Sequence, residues 1–159
     1  MAEPGSKRLY FAVWPDDEQR RALSEAAAIA CDASDGKSLP AINYHVTIAF
    51  LGRVSAGAIP DVVAAARATR FLPFDLVLEQ IGFWPRAGSA WLGPGAPQPA
   101  LEALVDNLWH RLEGYGFERD MRPYRPHVTV CRKATRGLEK RLAQPLVWPV
   151  RCRWLAEPY

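Results

Sequence analysis

The hexapeptide HVTIAF, His45 to Phe50, returns as HVTVCR, His127 to Arg132, and this repeat constrains the chain more than any other feature. An internal repeat implies two related structural units. The alternation of Val46, Ile48 and Phe50 with His45, Thr47 and Ala49, rich in β-branched residues, predicts a strand in each copy. Residues at i and i+2 of a strand share a face, so each motif presents an imidazole beside a hydroxyl and turns Val46 and Ile48, or Val128 and Val130, to the core. On the same alternation the fifth residues, Ala49 and Cys131, share the histidine face and leave room there for a ligand. Two such strands side by side across a pseudo-twofold axis would bring two imidazoles and two hydroxyls into one groove.

A lone His-x-Thr is most simply a satisfied, half-buried pair. Its duplication favours chemistry, because two facing imidazoles suit phosphoryl transfer near neutral pH: one takes a proton from the nucleophile, the other gives one to the leaving oxygen. The threonine hydroxyls would hold phosphate oxygens. His45 and His127 are therefore the candidate catalytic residues, with Thr47 and Thr129 as substrate-binding residues.

At 159 residues with 49% hydrophobic content the sequence is expected to form one domain, residues 1–159, built of two lobes around a shared core. Its start, MAEPGSKRLYFAVW, lacks the apolar run of a signal peptide, and no segment approaches a membrane span, which predicts a cytoplasmic protein with no membrane partner. The three cysteines, Cys31, Cys131 and Cys152, fit neither zinc spacing nor a disulfide framework and are expected to be reduced and buried. Net charge is +3, unevenly placed: residues 1–118 carry 10 basic and 14 acidic groups, residues 119–153 carry 10 and 2. A basic segment around the second motif favours an anionic partner, nucleotide or nucleic acid.

Along the chain, residues 7–14 read as a strand and Pro15 as the first turn of a helix that runs to about Cys31 on the apolar positions Leu23, Ala26, Ala27, Ile29 and Ala30. A polar loop leads to the first motif strand, ended by Gly52. A second helix lies within 55–69. Residues 74–84 and 89–94, joined by Pro85 to Gly88, form a hairpin signal. Leu101, Leu104, Val105, Leu108 and Leu112 mark an amphipathic helix from about Pro99 to Glu113, stopped by Gly114, with His110 on its polar side. The loop 114–126, carrying Arg119, Arg122 and Arg125, enters the second motif. A short helix is expected over 135–144, then a strand over 146–155 interrupted by Pro149. The elements divide into two units, each with a helix before its His-x-Thr strand.

Paired His-x-Thr-hydrophobic motifs mark the two-histidine phosphoesterase superfamily, and the sequence resembles its RNA 2′,3′-cyclic phosphodiesterase branch, also described as 2′-5′ RNA ligases. RLYFAVWP is similar to that family's opening strand, HVTIAFLG to its first motif, IGFWPRAGSAWLG to its central hairpin and YRPHVTVCRK to its second motif with the closing arginine. The resemblance covers most of residues 8–155. It implies an α+β, bilobal pseudo-twofold fold, two antiparallel sheets flanking a cleft with helices outside. It also implies metal-independent hydrolysis of RNA or nucleotide 2′,3′-cyclic phosphates to 2′-phosphate ends by a monomer without a cofactor, His45 protonating the leaving 3′ oxygen and His127 activating water. Thr47, Thr129 and Arg132 match positions that hold the phosphate, Phe50 one that lies against the base, and Arg125 belongs to the Arg-Pro-His form of the second motif. Strict alternation puts Phe50 and Arg132 on the face opposite the histidines, so their roles require each strand to end, bend or bulge.

The family pattern continues past a Leu-x-Glu-Ser region into a further strand. This sequence reads LAEPY there, with Pro158 in the serine's place, so an edge strand is expected to be missing. Alternatives within the resemblance are 2′-5′-linked oligonucleotides or ADP-ribose cyclic phosphate as substrate, and ligation as the reverse reaction. Outside it stand a nucleotide- or RNA-binding module without turnover, and a metallohydrolase with the histidines as ligands. The latter is disfavoured because no carboxylate recurs beside the motifs and hydroxyls are poor zinc ligands.

Overall fold

A computed structural model of the chain describes residues 5–137 and 140–151. The first strand, β1 (Lys7–Val13), pairs antiparallel with β3 (Val46–Val54) in a two-stranded sheet. A second, five-stranded sheet has the order β2-β6-β5-β4-β7, with β2 (Lys37–Ser38), β4 (Phe74–Trp84), β5 (Ser89–Gly93), β6 (Val128–Arg132) and β7 (Lys140–Val150), all pairs antiparallel. Among the described residues three α-helices complete the α+β fold: α1 (Asp17–Ser34), α2 (Ile59–Ala68) and α3 (Pro99–Glu113).

Asp16 caps α1 by accepting from the Gln19 amide at 2.8 Å, while the Gln19 side chain accepts from the Asp16 amide, a reciprocal box that satisfies two otherwise orphaned donors. Pro15 thus precedes the cap rather than occupying the first turn. The helix extends past Cys31 to Ser34 and stops at Asp35, whose left-handed φ of 55° no longer continues it. Its buried face is Leu23, Ala26, Ala27, Ala30, Cys31 and Ser34, and Ile29 points outward. The leucine stripe of α3 is buried as its spacing predicts, with Trp109 added, and His110 is exposed.

The helices do not stay with the strands they precede. α1 packs on β5, β6 and β7 of the larger sheet, although it lies between β1 and β3 in sequence, and α3, between β5 and β6 in sequence, reaches β3 and β4 and carries α2. The division into two helix-plus-strand units therefore describes the sequence and not the packing. Nor do the two motif strands pair with each other; β3 and β6 belong to different sheets.

Two further expectations give way. Residues 133–137 have no helix and residues 140–144 are already part of β7; residues 138–139, also within that expected helix, lie outside the described ones. Among the described residues β7 is an edge strand, which is where Pro149, opposite Asp75, can lack an amide donor without breaking a ladder on both sides. The other correction concerns the cysteines. The sulfurs of Cys31 and Cys131 are bonded, with Cα atoms 5.7 Å apart, so buried residues expected to be thiols instead tie α1 to β6 across 100 residues of sequence. Spacing hid this pair, because contact between them depends on α1 crossing to the larger sheet. Cys152, Pro158 and the expected missing edge strand lie outside the described residues.

Candidate active site

Both motif strands break their alternation at the same place. Along β3, Val46 and Ile48 are buried, and so is Ala49, while Phe50 is 54% exposed; along β6, Val128, Val130 and Cys131 are buried and Arg132 is exposed. The pairing registers give the cause. Phe11 and Ala12 of β1 face Ala49 and Thr47, leaving Ile48 extra, and Ala90 and Trp91 of β5 face Cys131 and Thr129, leaving Val130 extra. An extra residue of this kind is a β-bulge, and it shifts the alternation by one. Ala49 and Cys131 are consequently core residues, not the small floor of a ligand groove. Phe50 and Arg132 are turned to the side of Thr47 and Thr129.

A second irregularity follows in β3, where Leu9 and Tyr10 face Gly52 and Phe50 and Leu51 is extra. Gly52 has φ +70°, a value glycine adopts without the strain a Cβ would bring. Strand β3 therefore directs Thr47, Phe50 and Arg53 away from the core, while Leu51 packs on it and Val54 is buried in it.

The two histidines stand immediately before their strands and are held alike. His45 Nδ1 lies 2.7 Å from the Asn43 carbonyl oxygen, and His127 Nδ1 lies 2.8 Å from the Arg125 carbonyl oxygen. A carbonyl only accepts, so each Nδ1 carries a proton and each Nε2 is the atom left for chemistry. The surroundings differ. His45 sits by Trp14, ring centres 4.8 Å apart, and Tyr10, at 5.4 Å; His127 sits edge-on to Trp84 at 4.3 Å and near Trp91 at 6.2 Å. Burial pushes the His127 pKa down, its bond to Arg125 opposes this, and the charge of His45 pushes it down further. That last influence means the two imidazoles are within electrostatic reach of each other.

Thr47 and Thr129 are half-buried, and neither hydroxyl bonds to another described residue. The Thr47 carbonyl accepts a 2.8 Å hydrogen bond from the Tyr124 hydroxyl, a link between the approach to the second motif and the strand of the first. Burial holds the Tyr124 phenol well above its usual pKa, so it stays a donor. The Arg125 and Arg132 side chains are exposed without an ion pair among the described residues. The basic segment is less available than its charge implies: Arg119 pairs with Asp106 at 2.7 Å, Arg122 with Asp120 at 2.5 Å and Arg141 with Glu79 at 3.2 Å. Among the described residues no group of three His, Cys, Asp or Glu side chains is placed to hold a metal ion, and no helix is long and apolar enough to cross a membrane.

The aromatic surround was missed by motif reading. Trp91 faces Gly82 across the β4–β5 hairpin, and a Cβ at Gly82 would overlap its indole, while one at Gly93 would come within 2.6 Å. Two glycines flanking a tryptophan at cross-strand and i+2 positions were the available signal.

Two sheets each delivering a tethered imidazole and an unused hydroxyl define a two-histidine phosphoesterase fold. The chain belongs to the 2′-5′ RNA ligase superfamily, whose model matches residues 14–156. It is 33% identical over 138 residues, 87% of this chain and 77% of the other, to the RNA 2′,3′-cyclic phosphodiesterase of Escherichia coli K12. Among solved structures it is similar to E. coli LigT complexed with 3′-AMP, with TM-score 0.80 and 29% identity over 91% of this chain and 83% of that one. It is also similar to the protein TT0787 of Thermus thermophilus, with TM-score 0.73 and 28% identity over 91% and 84%.

Proposed function

We propose that the chain hydrolyses RNA or nucleotide 2′,3′-cyclic phosphates to 2′-phosphate ends, with His127 as general base and His45 as general acid. The observation that carries this reading is the matched Nδ1 tether, which leaves the Nε2 atom of each histidine for proton transfer, with the two imidazoles in electrostatic reach of each other. The lowered pKa of His127 supports its role as the base, because it is the imidazole more readily neutral. In the proposed step His127 Nε2 takes a proton from water as the water oxygen bonds to phosphorus. The phosphorus–O3′ bond breaks in line, and His45 Nε2 gives its proton to O3′. The phosphate stays on O2′.

Thr47 and Thr129 would hold the non-bridging oxygens with Arg132, and the hydroxyl and guanidinium donors would stabilise charge that grows in the transition state. Phe50, exposed beside the first motif, would lie against the base, and Arg125 would flank the cleft mouth. The names of the E. coli relative and of the LigT complex with 3′-AMP support a nucleotide-bearing cyclic phosphate as the substrate class. Both histidines come from one chain, so a single copy, residues 1–159, suffices.

The test is hydrolysis, in excess chelator, of a short RNA ending in a 2′,3′-cyclic phosphate by wild type, His45→Ala and His127→Ala, with the product resolved as 2′- or 3′-phosphate. A 2′-phosphate from wild type and a loss of about two to four orders of magnitude in each variant is expected. Undiminished rate in either variant, or a 3′-phosphate, would refute the assignment.

A further inference from the structure

The outer end of the small sheet carries two arginines that the reaction above does not use. Arg8 on β1 and Arg53 on β3 are directly opposite in register, and both are exposed. Like charges facing each other across an antiparallel pair destabilise it. Among the described residues neither guanidinium meets a carboxylate; Arg53 Nη1 donates to the Ser6 hydroxyl at 3.3 Å, and the Arg8 guanidinium lies 5.7 Å from the centre of the Phe50 ring.

These arginines share the cleft side of the sheet. Leu9, Phe11 and Val13 pack on the core, so Arg8, Tyr10 and Ala12 face away from it, and Tyr10 reaches the His45 ring. On β3 the two bulges bring Thr47, Phe50 and Arg53 to that same side. A continuous lane therefore runs outward from His45 past Tyr10 and Phe50 to the Arg8–Arg53 pair.

We propose that this pair is a second anion subsite that takes the phosphodiester on the 5′ side of the terminal nucleotide, making an RNA oligonucleotide, not a mononucleotide, the preferred substrate. The proposal rests on the assignment of His45 as the acid. In-line displacement puts the attacking water and the departing O3′ on opposite sides of phosphorus, so the ribose lies on the side of the histidine that protonates O3′. With His45 in that role the nucleoside lies over β1 and β3, its base against Phe50. The chain then leaves 5′-ward along the lane past Phe50, where two guanidinium groups meet one phosphate with the charge and fork geometry phosphate binding uses. Were His127 the acid, the RNA would lie over the larger sheet and Arg53 would touch no part of it.

The experiment compares kcat/KM for adenosine 2′,3′-cyclic phosphate and for a trinucleotide RNA ending in a 2′,3′-cyclic phosphate, using wild type, Arg53→Gln and the Arg8→Gln/Arg53→Gln double variant at several salt concentrations. The mononucleotide should be turned over within about twofold of wild type by each variant. The trinucleotide should lose about tenfold in kcat/KM through KM with the double variant, and its log–log salt slope should fall by about 0.7 there, for the one phosphate contact removed. A trinucleotide with an uncharged methylphosphonate at the linkage 5′ to the terminal nucleotide should reproduce the loss with wild type and add nothing to the double variant. Equal losses on both substrates, or an undiminished trinucleotide rate, would overturn the subsite while leaving the phosphodiesterase reading in place. Turnover of neither substrate by wild type would sink that reading and the subsite together.

Discussion

Replacing Tyr124 by Phe removes one hydroxyl, and the structure says what that hydroxyl does. It donates at 2.8 Å to the Thr47 carbonyl, and its residue stands three positions before His127 while its acceptor stands two after His45. The bond therefore spans the gap between two motif strands that do not pair with each other. A neutral buried hydrogen bond contributes about 1 kcal/mol net to stability. In a 159-residue chain that loss lowers Tm by about 2–4 °C. The catalytic effect should be larger, because a shift of about 1 Å between groups that must act in line costs up to about 100-fold. The expected result is a kcat reduced about 10- to 100-fold with KM within about threefold, measured on the cyclic-phosphate RNA beside a thermal melt. A variant that melts lower but keeps full kcat would refute the idea that this phenol sets the distance between the motifs.

Three other outcomes follow from the geometry. Burial and the His45 charge lower the His127 pKa, so the unfolded chain, with an ordinary imidazole near 6.5, binds more protons than the folded one and stability from this site, present above pH 6.5, is lost as pH falls through the lowered folded value; denaturant titrations from pH 7 to 5 should show a shallower loss for His127→Asn, and an unchanged slope would count against the shift. Gly82→Ala drives a methyl into the Trp91 indole and should cost about 1–3 kcal/mol by urea titration, with reduced turnover because Trp91 borders His127; a neutral substitution would mean the indole is not packed there. Thiol titration of the unfolded, unreduced chain should find one thiol rather than three, and reduction should destabilise it by up to about 4.7 kcal/mol, the ceiling for a closed loop of about 100 residues; three thiols would show that Cys31 and Cys131 do not bond.

The strongly periodic parts of the fold were legible. The leucine stripe of α3, the β4–β5 hairpin and the two motif strands all appear close to their expected bounds, since each depends on local pattern and turn residues. What stayed hidden depends on long-range pairing. β2 is two exposed residues whose only signal is its partner β6, and Pro15 falls outside the first turn of α1 because a side-chain box makes Asp16 the cap. The site was read unevenly for the same reason. Strict alternation put Ala49 and Cys131 in the groove and Phe50 and Arg132 outside it, and it failed because neither bulge is written in the residues of its own strand. The need for a bulge came from the chemistry of Phe50 and Arg132, and the register shifts at Ile48 and Val130 supply it. Two identical tripeptides gave no way to tell the imidazoles apart; their different aromatic neighbours, Trp14 and Tyr10 at His45 and Trp84 and Trp91 at His127, make them unlike.

The exchange of helices between the sheets gives the cleft a mechanical character. α1 leaves the small sheet to roof the large one and is welded there through Cys31, while α3 makes the opposite journey to β3. Each half of the chain is thus clasped by a piece of the other, and neither half retains a full cover when parted from its mate. Such a clasp can close only after distant segments meet, which makes assembly slow relative to a chain of local contacts. Once closed, it makes the span between the imidazoles depend on the packing of both halves instead of on one loop's pose.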